Sequence, residues 1–156
     1  SSNIAAAIND AEGVLFIDFD RLGLDFENSY IGLYHSPNSF DNHIRIIYRK
    51  DRIMAFLRNR FGYQAIMYYY GSWTMPRIKV AFKYKVDDFA LWVNGVEGVT
   101  DTSGSTFDIY RELDTINLGD QFLSPSTAPK FNARINAIAV YDTALSDADL
   151  TTLTTL

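Results

Sequence analysis

The dipeptide Asn94-Gly95 constrains this chain more than any other feature. It follows Phe89 to Val93 (FALWV) and precedes Val96 to Thr100 (VEGVT). Both central residues of a type I′ turn take positive φ, which Asn and Gly tolerate, so the pair joins two strands by a two-residue loop. Apolar alternation on both sides makes this a strong short-range hairpin signal. An antiparallel ribbon is therefore expected near the middle of the chain.

The rest reads outward from that ribbon. Arg77 to Tyr84 sets Ile78, Val80, Phe82 and Tyr84 against Lys79, Ala81 and Lys83, and Val14 to Arg21 sets Leu15, Ile17 and Phe19 against Phe16, Asp18 and Asp20. Period-two alternation of this kind marks half-buried strands. Further strands are expected over Tyr30 to His35, Ile44 to Arg49, Ile53 to Arg58, Gln64 to Tyr70 and Ile116 to Leu118. Arg134 to Tyr141 is apolar on both parities, as suits a central strand buried on both faces. A short helix is expected at the end: Ser146 is a good N-cap, Asp147 and Asp149 favour the helix dipole, and Leu150 and Leu153 share a face. The fold class expected is all-β, an antiparallel two-sheet β-sandwich with one short C-terminal helix, over residues 1–156 as a single domain.

Composition narrows the function classes. Aromatic residues make up 15% of the chain, with ten Tyr, eleven Phe and two Trp. A surplus beyond what a core uses points to a recognition surface. The net charge of −5 argues against nucleic acid as a partner, which needs a broad cationic surface. No run of 18 apolar residues predicts membrane insertion, and no secretory signal is read at the start. The absence of cysteine removes thiol nucleophiles, disulfides and thiolate metal sites together.

Two segments carry a family resemblance. KVAFKYKVDDFALWVNGVEGVTDTSG, followed by FNARINAIAVYDTALSDADL, resembles the laminin-G-like, concanavalin A-like jelly-roll domains, most closely those of bacteriophage tail fibres, tailspikes and other virion proteins. The opening IAAAINDAEGVLFIDFD resembles the family's lead-in and first long strand. The likeness touches both ends and the middle; residues 29–76 and 105–130 carry little beyond alternation. It implies a concanavalin A-like jelly roll excised from a longer polypeptide and placed on the virion surface or otherwise outside the cell. It also implies a non-catalytic carbohydrate-binding module whose partners are a polysaccharide or cell-surface glycan and other virion subunits. The competing reading is a structural, oligomerisation or decoration domain without sugar binding. A homotrimer is left open, since no heptad enforces one.

The same jelly roll carries glycanases and lyases. Retaining glycanases place two acids on one strand face. Asp18 and Asp20 share a face, but the pair contains no Glu and lies in the first strand, so two solvated outward carboxylates are expected instead. Arg111 and Glu112 are adjacent, so they cannot face one lyase substrate, and neither His35 nor His43 follows the Gln-x pattern. No catalytic residue is assigned. No cofactor is expected other than calcium, which related modules hold at a loop rim; Asp101, Asp108, Asp114 and Asp120 are the candidates.

Binding residues are sought among outward aromatics and cations. Alternation turns Tyr30, Tyr34, Arg45, Arg49, Arg58, Tyr68, Tyr70, Lys79, Lys83 and Trp92 outward, with one ring of Tyr68-Tyr69-Tyr70 turned in. Sugar C–H faces stack on aromatic rings and cations suit an acidic polysaccharide. Trp73 sits in a loop where a large ring has no core duty, and loop tips are where recognition concentrates. Ligand contacts are therefore expected at Trp73, Tyr30, Tyr34, Tyr68, Tyr70, Arg45 and Trp92, although Trp92 has an alternative place beneath the terminal helix.

Overall fold

Period-two alternation sorts the described residues into ten strands and one helix in a computed structural model. It describes residues 7–22, 29–35, 42–73, 75–107, 113–119, 131 and 133–156. In chain order the strands are β1 (Glu12–Arg21), β2 (Ser29–Tyr34), β3 (His43–Arg49), β4 (Arg52–Asn59), β5 (Gly62–Tyr70), β6 (Arg77–Lys85), β7 (Phe89–Val93), β8 (Val96–Asp101), β9 (Thr115–Leu118) and β10 (Ala133–Tyr141). The helix α1 spans Asp147–Thr154. The strands form two five-stranded antiparallel sheets, one ordered β10-β1-β6-β7-β8 and the other β5-β4-β3-β2-β9. We call them the helix sheet and the open sheet.

The inner faces meet in one core. Leu15, Ile17 and Phe19 of β1 and Ile78, Val80, Phe82 and Tyr84 of β6 face Ile31 and Leu33 of β2, Ile44 and Ile46 of β3 and Ile53, Ala55 and Leu57 of β4. At the β5 edge the ring of Tyr69 seals the seam: a Cβ on Gly98 would come within 2.5 Å of it, so β8 approaches only because residue 98 has none. Gly98 is also the unpaired residue where the β7–β8 register shifts.

The central hairpin has its expected geometry. Asn94 has φ 49° and Gly95 φ 83°, and Val93 pairs with Val96 across the two-residue loop. Its tip is tied down on both sides: Asn94 Oδ1 accepts from the Lys79 N–H at 2.8 Å, and the Gly95 N–H donates to Thr154 Oγ1 at 3.0 Å.

Helix α1 lies on the outer face of its sheet. Ser146 caps it, accepting from the Asp149 N–H at 3.2 Å, and Leu150 packs with Val14, Phe16, Ala81, Ala90 and Trp92 in a second small core. This cover explains why Ala81 and Lys83 are buried on a parity expected to face water.

Two expectations are corrected. Among the described residues β10 is an edge strand, paired with β1 alone, and its residues are half-buried to exposed; its apolar residues on both parities reflect the inter-sheet core on one side and the α1 patch on the other. Asp18 is not solvated: it is 4% exposed and held bidentately by Arg77, while Asp20 is paired with Arg134. Asp108, Asp120, Arg111 and Glu112 lie outside the described residues.

Candidate functional site

Among the described residues no helix lies on the outer face of the open sheet. Register across it sets side chains in rows. Thr115, Tyr34, His43, Arg58 and Tyr63 form the first row, and Asn117, Gly32, Arg45, Phe56 and Ile66 the second. Tyr30, Ile47, Met54 and Tyr68 form the third, and Arg49, Arg52 and Tyr70 the fourth. The strands of this sheet carry Arg45, Arg49, Arg52 and Arg58 and no Asp or Glu. A chain with net charge −5 thus presents a face whose strand charges are all positive.

The face divides into a buried half and an open half. On β2 and β3, Tyr34 and His43 are fully buried and Tyr30 and Ile47 nearly so. The Tyr34 ring lies over Gly32, where an added Cβ would collide with it. On β5, by contrast, Tyr63, Ile66, Tyr68 and Tyr70 are exposed, Tyr70 at 64%. Tyr68 and Tyr70 stack with centroids 6.3 Å apart and 20° between planes, and Phe56 meets Tyr68 edge-on at 6.0 Å.

Guanidinium groups interleave with these rings. Arg45, only 9% exposed, lies over Phe56 at 5.7 Å and donates from Nη2 to the Tyr63 hydroxyl at 3.2 Å. Arg58 lies over Tyr63 at 5.8 Å and Arg52 over Tyr70 at 5.9 Å. Each contact fixes a ring by cation–π attraction worth about 0.5–1 kcal/mol at an exposed site. The outcome is a pre-ordered platform along β5: flat aromatic faces with hydrogen-bond donors beside them.

The residues expected from sequence fall into three places. Tyr30, Tyr34, Arg45, Tyr68 and Tyr70 share this face, the first three buried and the last two exposed. Trp73 lies at the seam between sheets, edge-on to Tyr69 at 5.4 Å, and lines a cavity of about 240 Å³ with Met75, Val93 and Val96. Trp92 is 6% exposed beneath α1, so no ligand reaches its ring in this structure. Lys79 and Lys83 belong to the helix sheet: Lys79 donates to the Thr155 carbonyl at 2.6 Å, and Lys83 pairs with Asp88 at 2.7 Å. Sequence reasoning missed Phe56, Tyr63 and Arg52. Their signal was the parity shared with Arg45 and Tyr68, which becomes visible only once register is known.

Other chemistry finds less support. The Arg77 guanidinium bonded to Asp18 holds that carboxyl below its usual range, with Asn136 and Lys79 adding to the effect against the opposing push of burial. A carboxyl so held stays ionised and donates no proton near neutral pH. Asp101 Oδ1 accepts from the Ser103 N–H and hydroxyl, and Asp114 Oδ1 accepts from the Thr115 hydroxyl, the bonds of turn-forming Asp residues. Among the described residues no three His, Cys, Asp or Glu side chains gather as a metal site would require.

Comparison with known proteins places the architecture. No family model matches the chain, and neither does any curated protein sequence. Solved structures do. The CBM40 of the Ruminococcus gnavus IT-sialidase is similar at TM-score 0.73 and 20% identity, over 94% of this chain and 84% of that one. The same domain has been solved with α2,3 sialyllactose bound. Domain 4 of the extracellular arabinanase AbnA of Geobacillus stearothermophilus, solved with arabinotriose, matches at TM-score 0.65 and 17% identity, over 96% and 69% of the two chains. The native heptameric SAP-like pentraxin of Limulus polyphemus matches at TM-score 0.67 and 11% identity, over 92% and 70%. At these identities the likeness establishes the fold, a concanavalin A-like jelly roll.

Proposed function

We propose that this chain is a non-catalytic carbohydrate-binding module and that the outer face of the open sheet, along β5, is its glycan platform. The observation that carries the reading is the exposed, stacked pair Tyr68 and Tyr70, flanked by arginines that hold the rings in place. Large aromatic faces left open to water on one edge of a sheet stabilise little by themselves, whereas a sugar ring laid on them buries apolar C–H surface. Two of the similar folds, from sialidase and arabinanase, were solved with oligosaccharides bound, which supports the reading by analogy of fold. Non-catalysis is proposed because Asp18 and Asp20, the one carboxylate pair that suggested a glycanase, are each committed to an arginine.

The cellular setting we propose is a virion surface or other extracellular site facing a glycan-coated cell. The sequence resemblance to phage tail-fibre modules is its only support. The exposed row Phe61, Tyr63, Ile66, Tyr68 and Tyr70 also suits a subunit interface, which keeps the structural domain as the second reading.

A glycan array with wild type, the double variant Tyr68→Ala/Tyr70→Ala and Trp73→Ala separates these. Binding by wild type and Trp73→Ala that drops at least tenfold in the tyrosine variant is expected. A wild type that binds no glycan but forms a trimer in light scattering, dissociated by the tyrosine variant, would replace the platform with an interface.

A further inference from the structure

We infer that the ligand of this platform is an acidic glycan, an anionic group of which is taken by Arg49 and Arg52; the inference rests on the platform reading above. Arg49 and Arg52 are directly opposite one another across β3 and β4, on the outer face. Like charges in that position destabilise a sheet, so the pair is held at a cost. Among the described residues one carboxylate meets it: Asp51 accepts from Arg52 Nη1 at 3.0 Å, with its own side chain 62% exposed. Among the described residues Arg49 has no ion pair, and the Nε atoms of both arginines are shielded from water without an acceptor. Two guanidinium forks on one row match the oxygens of a carboxylate or a sulfate ester, which would relieve their repulsion.

The neighbours set the rest of the ligand. Tyr70 continues the same row and is the most exposed ring of the stacked pair, so a sugar lying on it directs a substituent towards Arg52. Arg45 is buried and committed to Phe56 and Tyr63, so it positions the rings and does not receive the anion.

The test uses the whole chain against matched ligands: acidic oligosaccharides (uronate and sulfated), the same uronates as methyl esters, and neutral oligosaccharides. Titration calorimetry on wild type and Arg49→Gln/Arg52→Gln reads affinity. The expected result is at least tenfold tighter binding of the acidic oligosaccharides than of the methyl esters or the neutral ones. The variant should lose that preference while still binding the esters. Uronate against sulfate identifies which anion the pair takes. Equal affinity for acids and esters, or a preference that survives in the variant, overturns the inference while leaving the platform standing. Ester binding that is indifferent to Tyr68→Ala/Tyr70→Ala, or no binding to any ligand, overturns the platform itself and this inference with it.

Discussion

The carboxyl of Asp18 lies on the outer face of β1 within reach of Arg77, 59 residues away in sequence, and Asn136, 118 residues away. Both reach it because β1 is flanked by β6 and β10, and the bulge at Asp18 and Phe19 opposite β10 leaves Asn136 beside it. The alternation of FIDFDR shows that Asp18 and Asp20 share a face. It cannot show that their partners arrive from strands far along the chain, and so it leaves them solvated. The pairing has a pH signature. A carboxyl whose folded pKa lies below its unfolded value binds fewer protons when folded. Its contribution is therefore complete above the unfolded value, near 3.8, and is lost as pH falls through the lower folded one. Asp18→Asn is expected to cost about 1–2 kcal/mol at pH 7, less than a fully buried pair because the Arg77 side chain is half exposed. Urea denaturation should find that gap constant from pH 7 down to about 4 and closing as pH falls further below 3.8. A gap that stays unchanged at pH well below 3.8 would mean that packing, not charge, accounts for the loss.

At the level of elements, the parts that could be read were those whose determinants are local. The hairpin needs only Asn94-Gly95 and its flanks. The helix start needs only Ser146 and the acidic residues that follow, and both stand where expected. β10 was misplaced because an apolar strand looks the same whether two sheet neighbours or a sheet and a helix cover it. Trp92 was ambiguous for the same reason, and α1 decides it. The energetic consequence falls on Leu150, fully buried against Trp92 and Phe16. Leu150→Ala is expected to cost about 2–4 kcal/mol, transfer plus cavity, measured by thermal or urea unfolding. Gly95→Ala should cost about 1–2 kcal/mol, since the residue sits at φ 83° and an added Cβ would come within 3.0 Å of Thr155 Oγ1. Because these positions lie on the helix sheet, glycan affinity of the folded variants should equal wild type. A drop in affinity without loss of fold would place the binding surface under α1.

Across the whole molecule, the strand acids are confined to one sheet, where they stand beside Arg21, Arg77, Lys79, Lys83, Lys85 and Arg134. The strand acids Glu12, Asp18, Asp20, Glu97 and Asp101 all lie in the helix sheet, while the open sheet's strands hold four arginines alone. This sorting was invisible in sequence, where Asp18 and Arg45 are separated by ordinary loop spacing and only topology assigns them to opposite sheets. It leads to a prediction that net charge alone would reverse. A folded chain of this length has a radius of gyration of about 15 Å. At 10 mM salt the screening length is about 30 Å, so a polyanionic surface feels the whole molecule, net −5, and repels it. At 0.1 M the length falls to about 10 Å, and a surface approaching the open sheet feels its arginines more than the net charge of the chain as a whole. At 1 M, with about 3 Å, the attraction is screened as well. Retention of the wild-type chain on an immobilised acidic polysaccharide at pH 7 should therefore pass through a maximum near 0.1 M salt. Arg49→Gln/Arg52→Gln should flatten that maximum, whereas Lys79→Gln, a change of charge on the other sheet, should leave it in place. A retention that only rises with salt would mean that repulsion between like net charges governs the encounter, and that the arginines act, if at all, only after contact.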